Sequence, residues 1–326
     1  MVIFYTCDDN FVWLAGISII SICETNRELE QIDFYLLGDN ISETNKQKME
    51  DIVRPYERSF TLINVPILDV PDELTSIRWP RSAYIRLFAG LLLPQEVNRA
   101  LYLDCDIIIN GSLKALDGIL LDYTMTGVKD CISSTYKENI GLDKNARYIN
   151  AGVILMNIAK LREMNMKQCI TDFFSQYSKK MFFADQDVLN GIFKGKVGIL
   201  NPKYDVMTIL YAYSYRELLC LRKPTNYYDE EDYEKAKSAP VIIHFTTNMT
   251  QIRPWIKGSK HPYAFLFDRY QALSPWANKE KEYRKPYTSS QKIMSLILSM
   301  PKYIGLPLLG FLHASLRPLL LKYKHK

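Results

Sequence analysis

Apolar positions in this chain fall into short runs set apart by polar stretches, and the first 130 residues alternate between two periods. Val2–Tyr5, Phe34–Leu37 and Phe60–Val65 read as short strands. Between them, Phe11–Ile22 is a helix apolar on every side, which must be buried, and Glu43–Val53 is a polar helix. Tyr84–Leu93 has a helical pattern, and Ala100–Leu103 begins another strand. Strands alternating with helices predict an α/β protein with a mostly parallel sheet covered by helices on both faces. In such sheets ligands bind beyond the carboxyl ends of the strands.

Further along, Asn150-Ala-Gly152 opens an apolar strand that runs to Met156, and the glycine points to a close backbone approach. Ile158–Tyr177 has helical periodicity. A helix starts near Phe183 with Asp185, Gln186 and Asp187 in its first turn, where acids also complement the helix dipole. Val241–His244 is a short strand ending in histidine, close to Arg253-Pro-Trp255. A lone histidine on an apolar segment is either a satisfied core residue or, at a strand end, a ligand. From Ile293 to Leu321 the chain is apolar but broken by Pro301, Gly305, Pro307 and Gly310, so a helix of about twenty residues crossing a membrane is not expected. Basic residues mixed with leucines and aromatics suit a helix lying in an anionic membrane surface. The alternative is a helical appendage packed on the protein's own core.

The strand ends carry acids. Thr6-Cys7-Asp8-Asp9-Asn10 follows the first strand, and Tyr102-Leu-Asp104-Cys105-Asp106 leads into Ile107–Ile109. In an extended chain the side chains at i and i+2 share a face, so Asp104 and Asp106 are expected side by side at the edge of a core. Two carboxylates that close repel unless a cation lies between them, and a hard divalent ion such as Mg²⁺ or Mn²⁺ prefers oxygen ligands.

Composition narrows the classes. The 326 residues are 48% apolar and 24% charged, as in ordinary folded proteins. Residues 283–326 carry eight Lys/Arg and no acid, so against a whole-chain charge of +5 residues 1–282 sum to −3. The positive charge belongs to the tail, and no nucleic-acid partner is expected for the body. Six scattered cysteines without a CxxC pair argue against a zinc site or a disulfide framework and favour a reducing compartment; the sequons at Asn40, Asn110 and Asn248 do not change this. The first residues read as a strand rather than a signal peptide, so a cytoplasmic location is expected.

These segments together resemble glycosyltransferase family 8. The resemblance rests on Thr6–Asn10, Ser82-Ala-Tyr84-Ile-Arg86-Leu, the Asp104/Asp106 pair, Asn150-Ala-Gly152-Val, Asp185-Gln186-Asp187-Val-Leu-Asn190-Gly, His244-Phe-Thr and Arg253-Pro-Trp255, in the family's order over roughly residues 1 to 270. It implies the GT-A nucleotide-diphospho-sugar transferase fold, Rossmann-like, over residues 1–282; residues 283–326, by their own composition, are expected to form a basic, apolar, membrane-associating tail. It implies a retaining transferase moving galactose or glucose from a UDP-sugar to a glycan or lipid-linked glycan acceptor, as in lipopolysaccharide or other surface-glycan synthesis, peripheral on the inner face of the cell membrane. Asp104, Asp106 and His244 match the ligands of Mn²⁺ (or Mg²⁺). Thr6, Asp8 and Asn10 match uridine contacts, with Cys105 also at the donor site. Arg86, Asp185, Asn150 and Asp130 match donor-sugar contacts, and Gln186 lies on the face where a retaining nucleophile belongs. Arg253 stands where the family usually has lysine before Pro-Trp, in a loop longer than usual and without glycine; no diphosphate contact is carried over within residues 247–252.

An amide oxygen is far less basic than a carboxylate, so Gln186 favours front-face attack assisted by the departing phosphate, with Asp185 and Asp130 orienting the sugar. Two other classes compete: a non-catalytic nucleotide-sugar-binding protein of the same fold, and a metal-dependent phosphohydrolase. The first should have lost part of the set Asp104, Asp106, Asp185, Gln186 and His244. The second needs a water-activating cluster that four scattered histidines do not supply.

Overall fold

The computed structural model describes residues 1–65, 82–247 and 250–323, so Asn248 and the terminal Lys324 and Lys326 lie outside it. Among the described residues, ten strands form two sheets: β1 Val2–Asp8, β2 Asp33–Asp39, β3 Ser59–Asn64, β4 Arg99–Leu103, β5 Ile107–Ile109, β6 Met125–Lys129, β7 Ile149–Asn157, β8 Gly198–Ile199, β9 Val206–Met207 and β10 Ile242–His244. The main sheet has the order β3-β2-β1-β4-β7-β6-β8. All its pairs are parallel except those β7 makes with β4 and β6, so β7 alone runs backwards. The mostly parallel sheet expected from the sequence is present.

The chain builds β1, β2 and β3 outward in one direction and then returns to place β4 on the other side of β1. That reversal opens a crevice at the carboxyl ends of β1 and β4. Because β7 is reversed and Leu103 pairs with Val153, the start of β7 overhangs the end of β4, and Gly152 O accepts from Asp104 N at 2.8 Å. The small sheet, β5-β10-β9, completes the site: His244 pairs with Ile107 on one side and Met207 on the other.

Helix α1 (Val12–Thr25) is buried over Val12–Cys23, sandwiched among β5, α2 (Glu43–Val53) and the later helix Ala264–Ala272. This explains why its sequence has no polar face. Helix α2 is capped by Ser42, whose Oγ accepts from Asn45 N. Asp9 fastens that cap, since its Oδ1 accepts from Ser42 N, Ser42 Oγ and Asn45 Nδ2 at 2.8–3.0 Å. Asp9 is thus a structural acid beside the crevice.

Three expectations need correction. Ile158–Tyr177 is not one helix but two, Ile158–Arg162 and α3 (Met166–Tyr177), because Asn165 caps the second by accepting from Gln168 N. Asp104 and Asp106 are not in extended chain: β4 ends at Leu103, and residues 104–106 turn the chain into a different sheet. The third concerns the tail. Despite its prolines and glycines, Lys302–Tyr323 is one continuous helix of 22 residues, with a π turn at Leu312–Leu316. By length and composition alone it could cross a membrane. The body supplies the donor that Pro318 removes. Ser133 Oγ donates to Ala314 O, the carbonyl four residues before Pro318, and Tyr136 and Asn139 donate to His313 O and Pro318 O. Gly310 allows close approach, since a Cβ there would run into the Cys220 carbonyl.

Candidate active site

Asp104, Asp106 and His244 converge from the β4–β5 turn and the end of β10, each offering one ligand atom, all within 4.8 Å of one another. The register enforces this: β10 pairs with β5, and Phe245 N donates to Asp106 O at 2.9 Å. His244 Nε2 lies 3.2 Å from Asp106 Oδ1 and 3.7 Å from Asp104 Oδ2. Its other nitrogen, Nδ1, is 2.9 Å from Asp205 Oδ1. A carboxylate behind a histidine fixes the ring and its tautomer so that Nε2 presents a lone pair. Gly152 leaves room for the ring, since a Cβ there would overlap His244 Cε1 and stand 2.8 Å from Nδ1.

Two arginines hold the carboxylates. Arg86 Nη1 is 2.9 Å from Asp104 Oδ1, its Nε is 3.2 Å from Asp185 Oδ2, and its guanidinium stacks 4.3 Å above the Tyr102 ring. Tyr102 donates to the same Asp104 oxygen at 2.5 Å. Arg253 Nη2 reaches Asp106 Oδ2 at 2.7 Å, while its Nε donates to Phe245 O. Burial alone would raise the Asp106 carboxyl, but Arg253 and His244 outweigh it and hold it at about 2. Burial disfavours the charged form of His244, yet the Asp205 and Asp106 carboxylates dominate and raise it far above its ordinary value, so Nε2 carries a proton that a bound ion would displace. The negative field of the cluster favours a cation at this spot. Burial lifts Asp185 to about 6, against the pull of Arg86.

Gln186 sits in the first turn of α4 (Ala184–Ile192) with every amide atom engaged. Its Oε1 accepts from Asn150 Nδ2 and Ala151 N, both at 3.1 Å. Its Nε2 donates to Asp130 Oδ2 at 2.8 Å and to Tyr148 Oη at 3.3 Å. Asp187 turns inward instead, accepting from Tyr148 Oη and from the Phe182 and Phe183 amides, and Asn190 braces Ile149 through both its amide atoms. The helix-start acids therefore divide: Asp185 faces the arginine, and Asp187 builds the turn.

A cleft of about 340 Å³ gathers Arg86, Asp104, Asp106, Asp130, Asn150, Asp185, Gln186, His244 and Arg253 on its walls. Thr6, Asp8, Asn10 and Cys105 do not line it. They lie at the adjoining end of β1 and in the turn, where Thr6 Oγ1 is 3.4 Å from Tyr102 Oη, Asp8 accepts from Asn10 N, and Cys105 Sγ contacts Thr6 O. A larger hollow, about 420 Å³, opens at the opposite edge of the sheet beside Met1 and Arg99, away from this chemistry.

A sequence profile of glycosyl transferase family 8 matches residues 2–257. The chain belongs to glycosyltransferase family 8. It is similar to general stress protein A of Bacillus subtilis (strain 168), with 22% identity over 82% of this chain and 92% of that one. It is similar also to a lipopolysaccharide 1,2-glucosyltransferase of Escherichia coli (strain K12), with 22% identity over 92% of this chain and 86% of that one. Among solved structures, the galactosyltransferase LgtC in complex with donor and acceptor sugar analogues superposes with a TM-score of 0.70 at 24% identity, covering 84% of this chain and 96% of that one. This family 8 glycosyltransferase thus has the expected GT-A fold. Sequence reasoning missed Asp205, because nothing local marks it; only the β9–β10 pairing carries it to His244.

Proposed function

We propose that this enzyme is a retaining, Mn²⁺-dependent hexosyltransferase that moves galactose or glucose from a UDP-sugar to a glycan or lipid-linked glycan acceptor in lipopolysaccharide or surface-polysaccharide synthesis. The observation that carries the reading is the cluster of two carboxylates and one imidazole, the imidazole backed by Asp205, at the carboxyl edge of a family 8 sheet. Its donor set suits Mn²⁺ better than Mg²⁺, because imidazole is a softer ligand than oxygen. The naming of relatives as lipopolysaccharide glucosyl- and galactosyltransferases supports the hexose and acceptor class.

Asp104, Asp106 and His244 would hold the ion, which when bound supplies Lewis-acid stabilisation to the departing diphosphate. The remaining work falls to the chain's own residues. Arg253, beside Asp106, adds positive charge where a diphosphate leaves. Asp185 and Arg86 orient the donor sugar, Asn150 and Asp130 close its other side, and Thr6, Asp8 and Asn10 receive the uridine beyond β1. Both lone pairs of Gln186 Oε1 are spent on Asn150 and Ala151, which argues against covalent attack and for front-face transfer with retention.

Residues 1–282 would form the catalytic domain and 283–326 a tail that rests on the cytoplasmic face of the cell membrane. One face of the Lys302–Tyr323 helix is buried through Leu306, Leu309 and Ala314, while Tyr303, Phe311 and Leu320 are exposed together with Leu296 of the preceding helix. The test is UDP release from a panel of UDP-sugars with and without Mn²⁺ and glycan acceptors, with the product anomer read by NMR. Release that needs both metal and acceptor, with retained configuration, supports the reading; donor hydrolysis without an acceptor contradicts it.

A further inference from the structure

The cleft contains a third arginine that the metal cluster does not use. Arg222 ends helix α5 (Tyr215–Arg222) and lines the cleft beside Cys131, Ile132 and Phe183. It is positioned from behind by the C-terminal helix, where its Nη1 meets His313 Nε2 at 2.9 Å. A guanidinium only donates, so Nε2 accepts and the ring is neutral. Burial first, then the charges of Arg222 and Arg317, push His313 down to about 3. His313 therefore orients Arg222 without neutralising it.

Arg86 is paired with Asp104 and Asp185, and Arg253 with Asp106, whereas among the described residues no carboxylate forms an ion pair with Arg222. The acid nearest in sequence, Glu217, is engaged with Lys302 and Ser214. Asp130, on the same cleft, accepts from Gln186. Among the described residues, the buried Arg222 Nε has no hydrogen-bond partner. A part-buried cation with donors to spare is costly unless a ligand brings the counter-charge.

We propose that Arg222 is an acceptor subsite for an anion, taking a phosphate or carboxylate carried by the acceptor glycan while a neighbouring hydroxyl approaches the donor sugar. The inference rests on the glycosyltransferase reading and adds the acceptor's chemical class. A guanidinium matches both phosphate and carboxylate. The C-terminal helix then has a second task, since through His313 it sets the position of this subsite.

The test uses the full-length protein saturated with Mn²⁺ and UDP, titrated calorimetrically with glucose 6-phosphate, glucuronate and glucose. At least one charged sugar is expected to bind about tenfold tighter than glucose, and which one does separates a phosphate from a carboxylate acceptor. Arg222→Gln should abolish the preference, Arg222→Lys should keep part of it, and UDP affinity should stay within about twofold in both, with folding checked by thermal denaturation. Equal binding of charged and neutral sugars, or a preference that survives in Arg222→Gln, overturns the proposal. If Mn²⁺ and UDP do not bind at all, the transferase reading has failed and the subsite falls with it.

Discussion

His244 is held between two carboxylates, with Nδ1 2.9 Å from Asp205 and Nε2 3.2 Å from Asp106. The inner carboxylate fixes the ring so that the outer nitrogen is free for an ion. Asp205→Asn keeps the shape but weakens this orientation, and Mn²⁺ affinity should fall by about 10–100-fold. Titration of Mn²⁺ by electron paramagnetic resonance reads this directly. Unchanged affinity would remove Asp205 from the site.

Gly152→Ala tests the packing that seats the same ring. The added methyl overlaps His244 Cε1, and the imidazole must move. A displacement of about 1 Å in a catalytic group can cost about 10²-fold in rate. Acceptor-dependent UDP release should drop by about that factor while the circular dichroism spectrum is retained. Near-normal turnover would show that the site tolerates a shifted ring.

Gln186→Ala removes the bridge between Asp130, Asn150 and the Ala151 amide. Under front-face transfer the rate should fall by about 10²-fold, the product should keep its anomeric configuration, and no sugar should appear covalently on the protein. Mass spectrometry of Asp185→Asn, after incubation with donor, gives the decisive contrast. A hexose found on Asp130 there would mean a covalent route.

Asp185 provides the pH test. Burial places its folded value at about 6, above the ordinary 3.8, so ionising it costs stability that is fully present below 3.8 and lost as pH rises through about 6. The melting temperature of the wild type minus that of Asp185→Asn should thus be largest near pH 4 and shrink by pH 7. Ionised Asp185 is also one of the two carboxylates that hold Arg86, so kcat/KM should fall below about pH 6, and that limb should vanish in Asp185→Asn. A pH-independent difference in melting temperature would contradict this assignment.

The exposed apolar face of the tail makes its own prediction. Replacing Leu296, Phe311 and Leu320 together by glutamate leaves the buried face intact and should reduce co-sedimentation with anionic vesicles by about tenfold or more. Turnover of a soluble acceptor should stay near wild type. Undiminished vesicle binding would mean that this face does not touch the membrane.

Much of the fold was legible because burial leaves a strong periodic trace. The all-apolar Phe11–Ile22 segment had to be a buried helix, and the acids after β1 and β4 lay at strand ends where α/β sheets bind ligands. Asp104 and Asp106 were recognised as a pair for a reason the structure replaces, since a turn and the β5–β10 pairing bring them together instead of an extended strand. Asp205 and Arg222 left no local signal. Each depends on long-range pairing, one on β9 against β10 and the other on a helix that joins the body 91 residues later. The continuity of that helix was equally hidden, because Ser133, Tyr136 and Asn139 fasten its later turns from outside, Ser133 supplying the donor that Pro318 removes.

The most direct measurement of the central claim is acceptor-dependent UDP release by Asp104→Asn beside the wild type, across a Mn²⁺ titration. The wild type should be inactive without the ion and saturate with it. The variant, folded and still carrying Asp106 and His244, should lose about 10²-fold or more at every Mn²⁺ concentration. Equal turnover by the two proteins, or full activity of the wild type in chelator, would contradict a metal-dependent transferase at this site.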